Sequence, residues 1–425
     1  MKTIRQQHGW DSIPLRYVCQ LNPAVDFTGF EEDDDLTFLP MDRVKNGYFI
    51  SNTDKFGKYA ASYNAFEEGD IILAKVTPCF ENGNIAIAEN LVNGKGFGSS
   101  ELFVIRPTKI ERRFLFYYFQ CSVFKLEGEA SMTGAGGLKR VSPELLRQHH
   151  LPFPSQETQR LIADYLDRET ARIDALVAEK EKMLALLEEK RAALISRAVT
   201  KGLNPDAPMK PSGLDWLGEI PEHWDIRTIK RISSRIDTGT TPSVSYMDGT
   251  LQPEFVWFTP GDFENNEILT QSKRKIPLEA IENGEAKMFK ANSIMVIGIG
   301  ATLGKVATSP IEFSANQQIN VICPSKEIAA DFLLYALQGY EKVFRAHANS
   351  ATLPILNQER LGDIHIPYPP MEEQHLIATK IREKRSAELQ INKELSDSIS
   401  LLKERRAALI TAAVTGQIPL EEMRA

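Results

Sequence analysis

No run of about 18 apolar residues occurs in the 425-residue chain, so no membrane-spanning helix is expected. The opening Met1-Lys2-Thr3-Ile4-Arg5-Gln6-Gln7 has no apolar core of the kind a secretory signal carries, and a cytoplasmic location fits. Cysteine is scarce. Cys19, Cys79, Cys121 and Cys323 lie far apart without paired spacing, as expected of isolated thiols in a reducing compartment, and they point to no metal site. A basic excess is missing too: 50 Lys and Arg stand against 57 Asp and Glu, a net charge of −7. Residues 1–155 hold 17 basic and 19 acidic side chains, residues 206–370 hold 15 and 20, and 156–205 and 371–425 hold 9 of each sign. A nucleic-acid ligand would therefore need local basic patches, or partners that add phosphate contacts.

Catalytic signatures are also missing. The stretch Gly298-Ile299-Gly300-Ala301-Thr302-Leu303-Gly304-Lys305 follows an apolar run, Ile294 to Ile297, in the manner of a phosphate-binding loop. Such a loop needs a glycine at 299 and a hydroxyl after the lysine; Ile299 and Val306 stand there, and Pro310 follows instead of a helical pattern. A glycine-rich β-turn is the expectation. The seven histidines include no metal-spaced helical pair, and His149-His150 reads as a solvated pair before a strand. No Ser/His/Asp set or clustered-carboxylate signature stands out. Tyr368-Pro369-Pro370 has the residues of an adenine-methyltransferase loop in the wrong order and without its Asn.

An internal repeat dominates what remains. LLEEKRAALISRAVT at 186–200 and LLKERRAALITAAVT at 401–415 agree at 11 of 15 positions, at an offset of 215. The same offset aligns Leu151-Pro152-Phe153-Pro154 with Ile366-Pro367-Tyr368-Pro369, and Gln159 with Gln374. A constant offset over some fifty residues means that element length matters physically. Looser matches extend upstream: Phe114-Leu115-Phe116-Tyr117 with Phe332-Leu333-Leu334-Tyr335, Gly83-Asn84-Ile85-Ala86 with Gly304-Lys305-Val306-Ala307, and Trp10-Asp11 with Trp224-Asp225. The order is module, helix, module, helix.

Residues 156–200 fit one long helix, capped by Ser155 after Pro152 and Pro154 and ended by Gly202 and Pro205. Ile162, Leu166, Ile173, Leu187 and Leu194 mark an apolar seam spaced by threes and fours; in the second copy Ile377, Ile381, Ile391, Leu402 and Leu409 do so, with Gly416 and Pro419 closing it. At about 1.5 Å per residue each helix runs about 65 Å, too long to bury its stripe alone, so the two are expected to pack on each other. The segment 202–213 reads as a linker. The modules, 1–155 and 206–370, alternate short β-rich runs (Ile71-Ile72-Leu73, Leu102-Phe103-Val104-Ile105, Ile319-Asn320-Val321-Ile322) with turns, and one helix is expected near 111–127 and another near 329–345. The fold expected is α+β: two mixed modules joined by two long antiparallel helices in a coiled coil, with a pseudo-twofold internal repeat.

Gly218-Glu219-Ile220-Pro221-Glu222-His223-Trp224 resembles the Gly-Glu-Ile-Pro-x-x-Trp start of target recognition domains in Type I restriction-modification specificity subunits. Asp237-Thr238-Gly239-Thr240-Thr241-Pro242 is similar to the Gly-x-Thr-Pro turn that follows in that family, and Ile366-Pro367-Tyr368-Pro369-Pro370-Met371-Glu372-Glu373-Gln374 to its strand exit into a conserved helix. The first module has His8-Gly9-Trp10 without the Gly-Glu-Ile-Pro lead and no Gly-x-Thr-Pro turn after Asn22-Pro23, so its internal fold stays open. The resemblance implies a non-catalytic subunit with target recognition domains at 1–155 and 206–370 and conserved spacer helices, with a linker after the first, at 156–205 and 371–425. Each domain would read half of an asymmetric, bipartite site in double-stranded DNA. It further implies two modification (methyltransferase) subunits and restriction motor-nuclease subunits as partners, with S-adenosylmethionine, ATP and Mg2+ on those partners and no cofactor in this chain. Base readers are expected among Lys, Arg, Asn and Gln on module loops: Lys75, Thr77, Lys139 and Arg140 in the first; Lys305, Asn316, Gln317 and Gln318 in the second, with Thr240 and Thr241 near the backbone. Arg191 and Arg406, on the helices, are expected in packing or ion pairs. The acidic balance keeps a second reading open, a two-module coiled-coil scaffold for protein or glycan ligands.

Overall fold

The structure, a computed structural model, describes residues 9–58, 63–134, 137–246, 252, 254–263, 267–349 and 354–424; the opening heptapeptide and His8 lie outside these. The chain divides into two compact units, Met1–Lys182 with Leu395–Ala425, and Met183–Glu394.

The strands of the first unit are β1 (Asp11–Pro14), β2 (Cys19–Leu21), β3 (Asp35–Leu39), β4 (Asn52–Lys55), β5 (Asn64–Glu67), β6 (Ile71–Ala74), β7 (Ile85–Ile87), β8 (Lys95–Gly98), β9 (Leu102–Pro107) and β10 (His150–Phe153). Helices α1 (Arg112–Gln120), α2 (Ser122–Ala130) and α3 (Pro143–Gln148) precede the long α4 (Gln156–Lys201). One sheet has the order β2-β9-β6-β7, a second β4-β3-β8-β5, and β1 pairs with β10. Among the named strands of the described residues, every pairing is antiparallel except β3 with β8.

In the second unit the strands are β11 (Met209–Pro211), β12 (Glu219–Pro221), β13 (Asp225–Thr228), β14 (Ser233–Thr238), β15 (Phe255–Phe258), β16 (Lys275–Ile276), β17 (Met288–Phe289), β18 (Ile294–Ile297), β19 (Val306–Thr308), β20 (Phe313–Ala315), β21 (Ile319–Pro324) and β22 (His365–Tyr368). Its helices are α5 (Ile229–Ile232), α6 (Leu278–Glu282), α7 (Ala330–Gln338), α8 (Glu341–His347) and α9 (Gln358–Asp363); α10 (Met371–Val414) and α11 (Leu420–Met423) follow. The sheet orders are β14-β21-β18-β19 and β16-β15-β20-β17, with β13 on β22 and one parallel pair, β15 with β20. Sheet for sheet this is the strand order of the first unit, with a parallel pair at the same place. The first module therefore has the same internal fold as the second, although it lacks the two leading motifs. The expected linker, 202–213, supplies one strand of a short ribbon, β11, whose partner β12 lies beyond it.

The continuous apolar runs follow from the layering. In β6, Ile71 and Leu73 face one core, with Phe103, Ile105 and the helices, while Ile72 and Ala74 face another, with Leu102 and Val104. In β18, Ile294 and Val296 join the helix-side core and Met295 and Ile297 the opposite one. A strand covered on both faces cannot alternate with polar residues.

Each helix expected near 111–127 and 329–345 is in fact two. Cys121 takes extended backbone (φ −68°, ψ 150°) between α1 and α2, and Gly339-Tyr340 separates α7 from α8. The Ser155 hydroxyl accepts from the Thr158 amide at 3.2 Å, and the left-handed Gly202 (φ 74°) ends α4. The repeated glutamine does one job twice. Gln159 accepts from the Glu111 amide before α1 and donates to Pro154 O, at 2.8 and 2.9 Å. Gln374 accepts from the Ala329 amide before α7 and donates to Pro369 O, at the same distances.

Both long helices contribute to both units. In the first, Arg406 meets Asp174 at 2.9 Å and Lys403 meets Glu181 at 3.1 Å, so these segments run in opposite directions. In the second, Ile195, Ala198 and Val199 share a core with Ile377, Ala378 and Ile381, and Arg191 and Arg385 both reach Glu267. Arg191 and Arg406 are thus ion-pair residues. Ile162, Leu166, Ile173, Ile377 and Ile381 are buried, and Leu187, Leu194, Leu402 and Leu409 are half-buried. Ile391 is a correction: it is 42% exposed, and Asn392 and Leu395 turn inward. Ten residues beyond Ile381 fall about 80° off the helical face, whereas eleven fall about 20° from it.

Candidate nucleic-acid interface

In the first unit, sheet pairing gathers four of the expected readers at one edge. β6 ends at Ala74, and the chain leaving it bridges to the stretch before α3: Val76 pairs with Arg140, and the Val141 amide donates to Lys75 O at 2.8 Å. The Thr77 amide donates to Lys139 O and the Lys139 amide to Thr77 Oγ1, both at 3.0 Å. Lys75, Thr77, Lys139 and Arg140 therefore form one patch.

Glu101, which sequence reasoning missed, sits at its centre. Arg140 donates to the Glu101 carboxylate through Nη2 at 2.7 Å and Nε at 2.9 Å. Lys75 Nζ donates to Ser100 O at 2.6 Å and lies 3.9 Å from Glu101. The Arg140 hydrogen bonds, helped by the Lys75 charge, hold the Glu101 carboxyl below its ordinary 4.5. Glu101 belongs to the turn Ser99-Ser100-Glu101 between β8 and β9.

Backbone hydrogen bonds identify the equivalent turn of the second unit as Asn316-Gln317-Gln318, between β20 and β21. Ser99 N donates to Leu39 O, and Asn316 N to Phe258 O; Lys75 N donates to Glu101 O, and Gly298 N to Gln318 O; Val141 N donates to Lys75 O, and Leu356 N to Gly298 O. Here Asn316 is buried, its Oδ1 accepting from the Gln318 amide at 3.0 Å and its Nδ2 donating to Gln318 Oε1 at 3.2 Å, while Gln317 is exposed. The Thr240 amide donates to Ala315 O at 2.8 Å, which brings Thr240 and the exposed Thr241 to this turn. Gly239 must be glycine, because a Cβ there would lie 2.2 Å from Ala315 O. Burial opposes ionisation of nearby Asp237, yet hydrogen bonds from Lys287 and Arg235 hold its carboxyl below the ordinary 3.8.

Lys305 stands apart from that turn, across β18. It is exposed, at the rim of a cavity of about 740 Å3 shared with Glu188 and Arg191 of α4. The glycine-rich stretch before it is a turn, with Gly304 N donating to Ile297 O at 2.9 Å, and a strand follows. His149 corrects the reading of a solvated pair: His150 is exposed, but His149 is buried, with Nε2 2.8 Å from Tyr118 Oη and Nδ1 2.7 Å from Glu127. Among the described residues no cluster of three or more His, Cys, Asp or Glu could hold a metal, and no helix is long and apolar enough to cross a membrane.

Two copies of one mixed α+β module, each with a polar turn held at the same sheet edge, make this a tandem-repeat protein. The chain belongs to the Type I restriction modification DNA specificity domain family, whose model matches residues 7–185 and 221–401. It is 36% identical over 160 residues to the EcoAI specificity subunit of Escherichia coli, a Type I restriction enzyme component, covering 36% of this chain and 27% of that protein. Against the EcoEI specificity subunit of the same organism the identity is 26% over 302 residues, 68% of this chain and 47% of the relative. The chain thus spans less than half the length of these two relatives. With the StySPI specificity subunit of Salmonella potsdam it shares 20% over 428 residues, covering 96% and 89% of the two chains. Two solved structures share the fold. One, from work on complex assembly and conformational transition of the type I R-M system, matches with a TM-score of 0.75 at 17% identity over 98% of this chain and 100% of its own. The other, an HsdS subunit from Thermoanaerobacter tengcongensis, matches with a TM-score of 0.53 at 16% identity over 97% and 98%.

Proposed function

We propose that this chain is the DNA specificity subunit of a Type I restriction-modification enzyme, with no catalytic centre of its own. The observation that carries the reading is the duplicated module, in which one turn geometry holds different side chains. Lys75, Glu101 and Arg140 occupy the places that Gly298, Gln318 and Ile355 occupy in the second copy. Two like frames with unlike polar edges suit an asymmetric, bipartite site, each half read in the major groove. Residues 1–155 and 206–370 act as the target recognition domains. The long helices pair as an antiparallel coiled coil, the modules are related by a pseudo-twofold axis, and the helix pair sets the gap between half-sites against the duplex repeat of about 34 Å per turn. Lys75, Thr77, Lys139, Arg140, Thr240, Thr241, Lys305, Gln317 and Gln318 are the proposed DNA contacts, while the buried Asn316 braces the turn through Gln318.

The net charge of −7 makes this chain a weak DNA binder alone. Two modification subunits add phosphate contacts, bring S-adenosylmethionine and flip the target adenine; restriction motor-nuclease subunits bring ATP and Mg2+. The test is DNA binding by the purified chain with and without a co-expressed methyltransferase partner, together with genome-wide mapping of methylated adenine. The expected outcome is methylation at one bipartite sequence, only when both proteins are present. The partner-free chain should show no methyltransferase, nuclease or ATPase turnover; turnover abolished by a point substitution in this chain would overturn the non-catalytic reading.

A further inference from the structure

We infer that Glu101 is a positioning residue that sets base specificity in the first module, bracing Arg140 as a guanine reader. The inference rests on the DNA-reading function proposed above. Glu101 lies in the turn Ser99-Ser100-Glu101, whose backbone hydrogen bonds match those of Asn316-Gln317-Gln318 one by one. The two turns are one structural position, and the second already holds proposed readers. The first copy differs in chemistry. Its turn carries a carboxylate, and the carboxylate is occupied on one side.

The occupied side defines the geometry. Glu101 takes Nε and Nη2 of Arg140 in a two-pronged ion pair. A guanidinium has five N–H donors in a rigid plane, so this grip fixes the plane and leaves one N–H on each of Nη1 and Nη2 as a parallel donor pair. The Arg140 side chain is 44% exposed, against 28% for Glu101, so the braced guanidinium is open to a ligand. Paired donors on a fixed plane match O6 and N7 of guanine in the major groove. Lys75 is held beside the same carboxylate, with its Nζ on Ser100 O. Its charge adds to the Arg140 hydrogen bonds in favouring the ionised Glu101 carboxylate. The second module has Gly298, Gln318 and Ile355 at these places and cannot form the brace.

The brace has a specificity consequence beyond charge. A carboxylate near DNA repels phosphate, so removing it should raise non-specific binding. It should lower discrimination at the same time, because an unbraced arginine can turn to neighbouring bases or to the backbone. A residue that served only the fold would move neither quantity in this pattern.

The experiment uses the full chain assembled with its modification partner, with assembly checked by co-purification. Native complex and the Glu101→Gln, Glu101→Asp and Arg140→Ala variants each select duplexes from a randomised pool, and the methylated sites of a host genome are mapped in parallel. Glu101→Gln and Arg140→Ala should lose preference at the same G·C pair, in one half-site, by on the order of tenfold, with the other half-site unchanged. Glu101→Gln should also bind non-specific DNA more tightly, while Glu101→Asp should keep the guanine preference in weakened form. Relaxation in Arg140→Ala but not in Glu101→Gln would remove Glu101 from the readout. Native selectivity in all three variants would overturn the inference and leave the DNA-reading function standing. A native complex that selects no sequence would remove the DNA-reading function itself, and this inference with it.

Discussion

His149 lies between two partners, with Nδ1 2.7 Å from Glu127 and Nε2 2.8 Å from Tyr118 Oη; in the neutral ring Nδ1–H donates to Glu127 and Nε2 accepts from Tyr118. Burial pushes the imidazole below its ordinary 6.5, and Glu127 offsets this only in part. The unfolded chain takes up a proton near 6.5 while the folded chain waits for a lower pH. The contribution is therefore complete above 6.5 and is lost as pH falls through the folded value. Thermal unfolding from about pH 8 down to about pH 5 should show a decline in stability that is smaller in His149→Gln. Equal declines would assign the pH dependence to other groups. The histidine pair drew attention in the sequence, but its surroundings did not. Tyr118 and Glu127 lie 31 and 22 residues away, and only the packing of α1 and α2 brings them to the ring.

The two glutamines link the long helices to the modules. Each satisfies the amide at the start of a buried helix, so Gln159→Ala or Gln374→Ala leaves that amide without a partner. Each change should cost roughly 1–3 kcal/mol, read as a fall in unfolding temperature. A neutral effect at both positions would mean that water replaces the side chain. The equivalence of Gln159 and Gln374 was legible, because they share the offset of the helices that follow. The seam was legible only in part. Threes and fours locate Ile162, Leu166, Ile377 and Ile381, but error accumulates where polar residues such as Arg385 and Asn392 occupy inward positions, and so Ile391 was misplaced. Truncating a residue at a buried core position, as in Ile377→Ala, should cost about 2–5 kcal/mol. The exposed Ile391→Ala should cost much less, and comparable losses would put Ile391 back on the seam.

If the paired helices set the spacing of the proposed site, lengthening both by one turn should change that spacing and nothing else. Four residues inserted after Lys182 and four after Glu394 add about 6 Å to each helix and about 40° of rotation. The methylated sequence should keep both half-sites and gain a spacer longer by one or two base pairs, at about 3.4 Å each. An unchanged spacer in an assembled, active complex would show that the helices do not set the distance. Replacing residues 206–370 with the corresponding module of a related subunit should change one half-site and leave the other intact; a change in both would end the independent-module reading.

Periodicity and self-similarity are local or collinear properties, so composition and spacing were enough to find the duplicated order of module and helix, both long helices and their ends, and the β-rich character of the modules. The family resemblance supplied the DNA-reading expectation in the same way, from motifs in a fixed order. Convergence across distant strands is not collinear. Lys75, Glu101 and Arg140 come together through the pairing of β6 with β9 and the bridge from Val76 to Arg140, and Glu101 and Arg140 are 39 residues apart. The flanking runs Leu102-Phe103-Val104-Ile105 and Ile319-Asn320-Val321-Ile322 could have been aligned to expose Ser99-Ser100-Glu101 beside Asn316-Gln317-Gln318. Even then, only strand register decides which side chains a turn faces, because a shift of one residue sends every side chain to the opposite face of the sheet.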